Sequence, residues 1–195
     1  MKKEEYLNIE ILQNRSKKLK KHYSTLGAGF YFDGTVVEFE RREVLNSFFM
    51  MIPKEFTFMP DELTDVKYPF VFRPPCILTN DNLTINLSFN ELPNNLQETT
   101  FMQTTENVKK ILENEQGIFD FGEVKSLNNI ECYYFDFRQN AMDGELYHML
   151  ANIKLNNNIY QLTFNCTTSS YLEWKSAVLQ MWESAEYGEE DRENE

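Results

Sequence analysis

The chain has 195 residues, of which 42% are hydrophobic and 14% aromatic, and its formal net charge at pH 7 is −12. This apolar content is enough for the core of one domain, and it excludes a chain that is disordered throughout. The longest apolar runs are far shorter than the roughly 20 residues of a membrane-spanning helix, so no membrane insertion is expected.

The charge is distributed unevenly along the chain. Residues 1–24 carry seven Lys and Arg against three Asp and Glu, whereas the remaining residues carry twelve against twenty-eight. Because so acidic a body repels phosphate backbones, nucleic-acid binding is not expected. A basic protein, or a basic segment of the same chain, is the electrostatically favoured partner.

The first residues and the cysteines together predict a cytoplasmic protein. The sequence begins Met-Lys-Lys-Glu-Glu-Tyr, without the apolar segment of a secretory signal. The cysteines are three in number and have no CxxC spacing, so an oxidising compartment would leave one unpaired. We expect them to be buried in strands as small apolar residues: Cys76, Cys132 and Cys166.

The chain divides into a basic amphipathic helix at 1–24, a domain at 25–187 and a disordered acidic tail at 188–195. The helix is predicted from the absence of Pro and Gly and from a seam of residues with alternating spacings of three and four. This seam should pack on the domain or on a second copy, which leaves open a homodimer through the helix. Its members are Ile9, Leu12, Ser16, Leu19 and Tyr23.

The domain opens with a predicted hairpin and continues into a proline-rich stretch. Asp33-Gly34 lies between two β-rich runs and predicts a two-residue turn, because both positions of that turn need a positive φ. A further apolar run ends at Pro53. Five of the six prolines follow within residues 53–76, which predicts an irregular connection, and long loops inside compact domains are often functional.

The second half of the domain should contain strands with one helix before them and one after. Apolar residues alternate with polar ones over 83–89, which predicts a strand with one buried and one polar face. A helix is predicted near 101–115, followed by four antiparallel segments between 119 and 166. Short turns should join these segments, at Asn128-Asn129, at Asp143-Gly144 and at Asn156-Asn157-Asn158. A last helix should begin at Ser170, with Glu173 completing a capping box.

These elements predict an α+β fold in which an antiparallel sheet is flanked by helices. No series of alternating strands and helices indicates a nucleotide-binding α/β fold.

No catalytic motif, cofactor motif or metal motif is recognisable. The histidines, His22 and His148, are far apart, and HExxH, GxSxG and GxxxxGK[ST] are absent. Carboxylates cluster at 38–43 and 61–65, but an acidic chain places such clusters on its solvated surface. We therefore expect no enzyme, no cofactor and no bound metal. A hydrolase-type enzyme with an unrecognised carboxylate site remains an alternative.

Three short motifs resemble the Mog1/PsbP-like fold, and more narrowly a group of small bacterial proteins with that fold. They are Met51-Ile52-Pro53-Lys54-Glu55-Phe56, then Lys67-Tyr68-Pro69 followed by Arg73-Pro74, and Phe164-Asn165-Cys166 followed by Trp174. The resemblance covers about 45–185. It implies an α/β/α sandwich and a role as an adaptor, assembly factor or chaperone without a catalytic centre. Members of the fold bind a small GTPase, a photosystem or secretion effectors, but no partner site is transferable to this chain.

The leading hypothesis is a protein-binding module that docks through the proline-rich loop and the adjacent sheet face. Lys67, Tyr68 and Arg73 are the candidate contacts, since cations are local exceptions on an acidic body and Tyr and Arg are enriched in binding hot spots. An alternative is that they anchor the loop, with Tyr68 packed and Arg73 paired to a carboxylate. A self-assembling structural protein is a further alternative.

Overall fold

The computed structural model describes residues 2–69, 73–93, 101–141 and 144–188, with side chains from residue 10 onward. The tail predicted at 188–195 therefore lies outside the described residues except for Gly188. Asp143, which belongs to a predicted turn, and Ile9 of the predicted helix seam also lie outside what is described, Ile9 in its side chain.

The described residues form four helices and fourteen strands. The helices are α1 (Lys2–His22), α2 (Asp61–Lys67), α3 (Phe101–Leu112) and α4 (Tyr171–Glu183). The strands of the first half are β1 (Ser24–Thr25), β2 (Gly29–Phe32), β3 (Thr35–Val37), β4 (Phe39–Leu45), β5 (Phe48–Pro53), β6 (Thr57–Phe58), β7 (Cys76–Thr79) and β8 (Asn86–Leu92). Those of the second half are β9 (Ile118–Phe119), β10 (Lys125–Ser126), β11 (Cys132–Ala141), β12 (Gly144–Leu155), β13 (Asn158–Thr167) and β14 (Glu186–Tyr187).

The main sheet is antiparallel and has the strand order β10-β11-β12-β13-β8-β7-β6, with β9 pairing to β11 beside β10. Two smaller sheets, β1-β2-β3 and β14-β5-β4, complete the strand pairing. The long central strands β11, β12 and β13 are neighbours in sequence and in space. The predicted antiparallel pairing of the long strands is therefore confirmed, as is the α+β class, but the first of the four predicted segments is divided into the short strands β9 and β10.

Helices cover the two faces of the main sheet. On one face, Met149 and Phe164 belong to a core cluster that includes Trp182 of α4. On the other face, Phe135 and Leu150 form a second cluster with residues of α3. Strand alternation sends successive side chains to opposite faces, so both clusters draw on the same strands. The result is the expected α/β/α sandwich with an N-terminal helix.

Two predicted hairpin turns are confirmed by their backbone angles. Asp33 and Gly34 have φ values of 44° and 90°, and Asn156 and Asn157 have values of 47° and 67°. Positive φ at both central positions is what a two-residue turn between twisted antiparallel strands requires.

The expectation of a wholly irregular connection over 53–76 is wrong, because this segment contains β6 and α2. Pro60 lies immediately before α2, where its fixed φ suits a helix start and its missing N–H costs no hydrogen bond. The Pro60 carbonyl accepts the amide protons of Leu63 and Thr64. The prolines thus delimit a short helix.

The predicted capping box at the start of α4 is also wrong. Ser170 has helical angles and makes no side-chain capping hydrogen bond. Its hydroxyl lies 3.3 Å from that of Thr167. The Glu173 carboxylate instead forms an ion pair with Lys20 of α1. A tertiary contact between two helices has replaced the local cap.

Helix α1 is present as predicted, but only part of its seam contacts the domain. Ser16, Leu19 and Tyr23 are half-buried, whereas Leu12 is 63% exposed. No helix within the described residues is long and apolar enough to cross a membrane.

Candidate functional site

The proline-rich segment, residues 53–76, contains the strand that forms one edge of the main sheet. Its strand β6 pairs with β7 as the last strand of that sheet, and α2 follows directly. Phe58 is 63% exposed on β6, and Val66 of α2 is 76% exposed. Large apolar side chains exposed in one segment are typical of interaction sites.

Grooves lie on the two sides of Phe58. One, of about 400 Å³, is lined by Phe58, Arg73, Pro74 and Pro75, among other residues. The second, of about 670 Å³, is lined by Phe58 and Pro75 together with residues of β4 and β8. We call the surface of Phe58, Arg73, Pro74 and Pro75, which line the smaller groove together, the β6 edge surface.

The rim of the β6 edge surface is acidic. Glu43 and Glu91 line the larger groove, and Asp61 lines the smaller one. All three side chains are exposed. A partner segment with an apolar side chain for the contact with Phe58 and basic side chains next to it would complement this acidic rim.

The three candidate contacts, Lys67, Tyr68 and Arg73, lie in this segment but differ in environment. The Lys67 ammonium is exposed and donates a hydrogen bond to the carbonyl of Leu83. Arg73 is exposed and forms an ion pair with Asp65 of α2. Exposed pairs of this kind contribute about 0–1 kcal/mol, so the guanidinium can exchange Asp65 for an acidic group on a partner.

Tyr68 has the anchoring environment. Its hydroxyl oxygen accepts a hydrogen bond from Nδ2 of Asn165 at 3.2 Å, and burial raises the pKa of this phenol. Asn86 Nδ2 donates to Asn165 Oδ1 at 2.8 Å, and Thr79 Oγ1 donates to Asn86 Oδ1 at 2.8 Å. Tyr68 thereby ties the end of α2 to three strands of the main sheet.

This row of buried polar side chains is the feature that the sequence did not reveal. The alternation over 83–89 places Asn86 and Ser88 on the polar face of the predicted strand, which is expected to lie away from the core. Both are buried. The strand β8 is central in the sheet, so its two faces are covered, and the buried Asn86 is satisfied by its hydrogen bonds with Thr79 and Asn165.

Replacing Tyr68 by phenylalanine is expected to lower the free energy of unfolding by about 1–3 kcal/mol, because the buried amide of Asn165 loses its acceptor. Amide hydrogen exchange should rise over residues 61–69, and chemical denaturation gives the energy. Tyr31→Phe is the control, since the half-buried Tyr31 has no side-chain hydrogen bond within the described part of the chain. Equal stability of the two variants would show that Tyr68 is not an anchor.

A cluster of charged side chains lies at a second place, where β11, β12 and α4 meet. A cavity of about 230 Å³ is lined there by Asp120, Asp136, Arg138 and Lys175, among others. Asp136 Oδ2 accepts hydrogen bonds from Lys175 Nζ at 2.6 Å and from the Tyr147 hydroxyl at 2.5 Å. Arg138 pairs with Asp120 at 3.1 Å.

The electrostatics of this cluster do not suit acid–base catalysis. Burial alone would raise the pKa of Asp136, but its bonds to Lys175 and Tyr147 hold that pKa below the ordinary value. Burial and the bond to Asp136 raise the pKa of Tyr147. A general acid or base needs a pKa near the working pH, whereas these two groups are shifted away from neutrality. The cluster is therefore suited to holding α4 against the sheet.

The thiols are equally unsuited to nucleophilic chemistry. All three cysteines are free and buried, as expected. Burial raises the pKa of Cys76 to about 11 and those of Cys132 and Cys166 to about 12, which keeps the thiols protonated. Within the described ranges, no group of three or more His, Cys, Asp or Glu residues is placed to hold a metal ion.

Solved structures with the same fold include two that match over most of their length. Cyanobacterial PsbP from Synechocystis sp. PCC 6803 matches with a TM-score of 0.52 at 10% identity, over 82% of this chain and 98% of that one. The Ran-binding protein Mog1p of Saccharomyces cerevisiae matches with a TM-score of 0.50 at 10% identity, over 76% and 92%. The chain therefore has a Mog1/PsbP-like fold. No protein-family model and no curated protein sequence matches it.

Proposed function

We propose that this chain is a non-catalytic protein-binding module, an adaptor or chaperone of the cytoplasm, that docks its partner through the β6 edge surface. The observation that carries the proposal is the exposed Phe58, which stands on the last strand of the main sheet between two grooves. A solved protein of the same fold, Mog1p, is described as Ran-binding. Aromatic side chains that can enter a partner's pocket are frequent hot spots of binding energy.

The partner is proposed to be a protein with basic side chains around an apolar contact. Glu43, Glu91 and Asp61 surround Phe58 and would pair with them, and the net charge of −12 favours such a partner at long range. Arg73 would add one bond to an acidic group of the partner, and Lys67 would hold the adjacent loop. Binding of this kind weakens as salt rises.

Tyr68 takes a different role in this proposal from Lys67 and Arg73. Its hydrogen bond to Asn165 fixes the end of α2 on the sheet, so it positions the surface without meeting the partner. A rigid surface loses less conformational entropy when a partner binds, which favours affinity.

Replacing Phe58 by alanine is expected to reduce partner recovery strongly. Truncation of a hot-spot aromatic costs about 2 kcal/mol or more, which corresponds to roughly 30-fold weaker binding. The measurement is quantitative capture from the source organism with the purified chain as bait, followed by mass spectrometry of the proteins recovered. The double variant Lys67→Ala with Arg73→Ala should reduce partner recovery less than Phe58→Ala does, and the size of this reduction should depend on the salt concentration.

Ile111→Ala is the matched control, because Ile111 is 64% exposed and lies on α3, on another part of the surface. It should recover the same proteins as the unsubstituted chain. If Phe58→Ala recovers its partners as well as Ile111→Ala does, the β6 edge surface is not the docking site.

A further inference from the structure

The larger of the two grooves beside Phe58 runs along strand edges. It is lined by consecutive residues at the end of β4 and in the turn after it, 43–46, and by neighbouring residues at the start of β7 and near the end of β8, 75–76 and 90–91. A groove over one face of a strand would be lined by alternate residues, because successive side chains point to opposite faces. The walls of this groove are therefore strand edges, which carry backbone groups as well as side chains.

On one wall, the backbone of Glu43 faces the free edge of β4. This strand is the last of its sheet, and β5 is its one neighbour among the described strands. The amide of Lys54 donates a hydrogen bond to the carbonyl of Glu38 at 2.9 Å, so every second residue counted from Glu38 bonds to β5. Glu43, opposite Phe49, belongs to the other series and directs its N–H and C=O away from β5. No group in the described part of the chain bonds to them.

On the other wall, β8 extends beyond β7 and leaves the backbone of Glu91 without a neighbour. Cys76, the first residue of β7, pairs with Phe89. The amide of Asn80 donates to the carbonyl of Ile85 at 3.2 Å, so every second residue from Ile85 onward directs its backbone groups to the β7 side. Glu91 follows Phe89 in this series. Among the described residues, none bonds to its N–H or C=O.

Both residues with free backbone groups also carry a carboxylate. The side chains of Glu43 and Glu91 are exposed, and the Glu43 carboxylate accepts the amide proton of Ser47 at 2.8 Å. Within the described ranges, no basic side chain lines this groove. The groove thus combines unpaired main-chain groups with negative charge and with the apolar ring of Phe58.

We propose that the larger groove binds an extended segment of the partner protein that carries Lys or Arg side chains, and that its main chain bonds to Glu43 and Glu91. This inference rests on the proposed function and names the form in which the partner is recognised. An extended chain directs the backbone groups of successive residues to opposite sides, so it can bond to both walls, whereas the backbone groups of a helix bond within the helix. Its basic side chains pair with the two carboxylates, as opposite charges do across neighbouring strands.

The first test is binding of a fluorescently labelled decapeptide of alternating lysine and valine to the full chain, measured by anisotropy at low salt. The peptide should bind, whereas a decapeptide of alternating glutamate and valine should not. An analogue with N-methylated lysine amides keeps every side chain and charge but lacks half of the backbone donors. It should bind roughly tenfold more weakly, because main-chain hydrogen bonds are lost. Absence of binding by the lysine peptide, or no effect of methylation, would overturn the proposal.

Hydrogen exchange measured by NMR locates the bound peptide. The amides of Glu43 and Glu91 should both exchange more slowly in the saturated complex, because each gains an acceptor. The amide of the exposed Glu123, on another part of the surface, should exchange at an unchanged rate. Unchanged exchange at either Glu43 or Glu91 would contradict the placement of the segment between the two walls.

Neutralising the carboxylates tests the preference for basic side chains. Glu43→Gln with Glu91→Gln should weaken binding of the lysine peptide by roughly tenfold, since two exposed charge pairs are lost. Glutamine at position 43 keeps an oxygen that can accept the Ser47 amide, so the turn after β4 is retained. The control Glu115→Gln with Glu123→Gln removes the same charge from exposed residues elsewhere and should bind like the unsubstituted chain. Equal affinities of the two double variants would refute a role for the carboxylates of the groove.

The same measurements separate this inference from the proposed function. If partner capture depends on Phe58 while the lysine peptide does not bind, the partner docks as a folded surface, and only the extended mode of recognition is wrong. If partner capture does not depend on Phe58, the capture experiment itself overturns the proposed function.

Discussion

Replacing Trp174 by alanine is expected to lower the free energy of unfolding by about 3–5 kcal/mol, the range for loss of a buried aromatic side chain. Trp174 is 5% exposed on α4, and its ring lies 4.3 Å from that of Phe32, centroid to centroid. The rings of Phe56 and Phe164 are 5.9 Å and 6.1 Å away. One side chain thus joins β2, the start of the proline-rich segment and the main sheet.

The measurement is chemical denaturation at neutral pH, with Leu172→Ala as the control. Leu172 lies two residues away on the same helix but is 72% exposed, so its loss should change stability by no more than about 0.5 kcal/mol. Trp174→Phe keeps part of the ring contacts, so its free energy of unfolding should lie between those of Trp174→Ala and Leu172→Ala. A Trp174→Ala variant as stable as Leu172→Ala would show that the packing of the three phenylalanine rings around Trp174 does not contribute to the stability of the fold.

Trp174 also connects the stability of the core to the proposed function. Phe56 contacts it and lies two residues before Phe58, so the core determines where the β6 edge surface begins. Substitution of Trp174 should therefore reduce partner binding together with stability. Phe58→Ala should reduce binding alone, because its side chain is exposed.

The elements that the sequence predicted well are those with a strong local signal. In β13 apolar and polar residues alternate from Tyr160 to Thr167, and in β12 every second residue from Tyr147 to Leu155 is apolar. Asn156-Asn157 provides a turn that tolerates positive φ. The last helix also begins where it was predicted, and its apolar residues, including Trp174 and Trp182, follow the helical repeat and are buried. Local periodicity and turn chemistry are sufficient at these places.

The features that the sequence did not reveal depend on tertiary contacts. Helix α2 has seven residues between prolines, too short for a periodic signal, and it is held by the contact of Tyr68 with Asn165. The burial of Asn86 follows from its place in a central strand, which the strand's own sequence does not show. Likewise, the exposure of Phe58 follows from the position of β6 as the last strand of the sheet. The sequence could therefore indicate the proline-rich segment as a candidate surface, but it could not indicate Phe58.

His148 gives the second large expected effect, a loss of stability in acid. It is 8% exposed on β12, its ring stacks on Phe137 with centroids 4.8 Å apart, and its Nε2 has no hydrogen-bond partner within the described structure. Burial disfavours the imidazolium and lowers the pKa of His148 from 6.5 to about 4. The folded chain therefore keeps this side chain neutral at a pH where the unfolded chain protonates it.

The sign of the effect follows from proton binding. Between pH 6.5 and about 4 the unfolded state binds more protons at His148, so the free energy of unfolding falls as the pH is lowered. At about 1.4 kcal/mol for each unit of the pKa difference, the free energy of unfolding falls by about 3 kcal/mol in total. Above pH 6.5 His148 is neutral in both states, so none of this loss occurs there.

His148→Phe isolates this effect, because phenylalanine keeps an aromatic ring against Phe137 and cannot titrate. The quantity to measure is the difference in unfolding free energy between the unsubstituted chain and His148→Phe, at several pH values from 7 to 4. The exposed His22 is present in both chains and cancels in that difference. Asp136→Asn serves as a second control, since the lowered pKa of Asp136 confines the pH dependence of its contribution to stability to values below the ordinary pKa of an aspartate. The Asp136→Asn variant should show the same loss of stability between pH 6.5 and about 4.

The opposite outcome is a difference in unfolding free energy between the unsubstituted chain and His148→Phe that does not vary with pH. It would mean that His148 is protonated as easily in the folded chain as in the unfolded one, and that the fold does not require a neutral ring on Phe137.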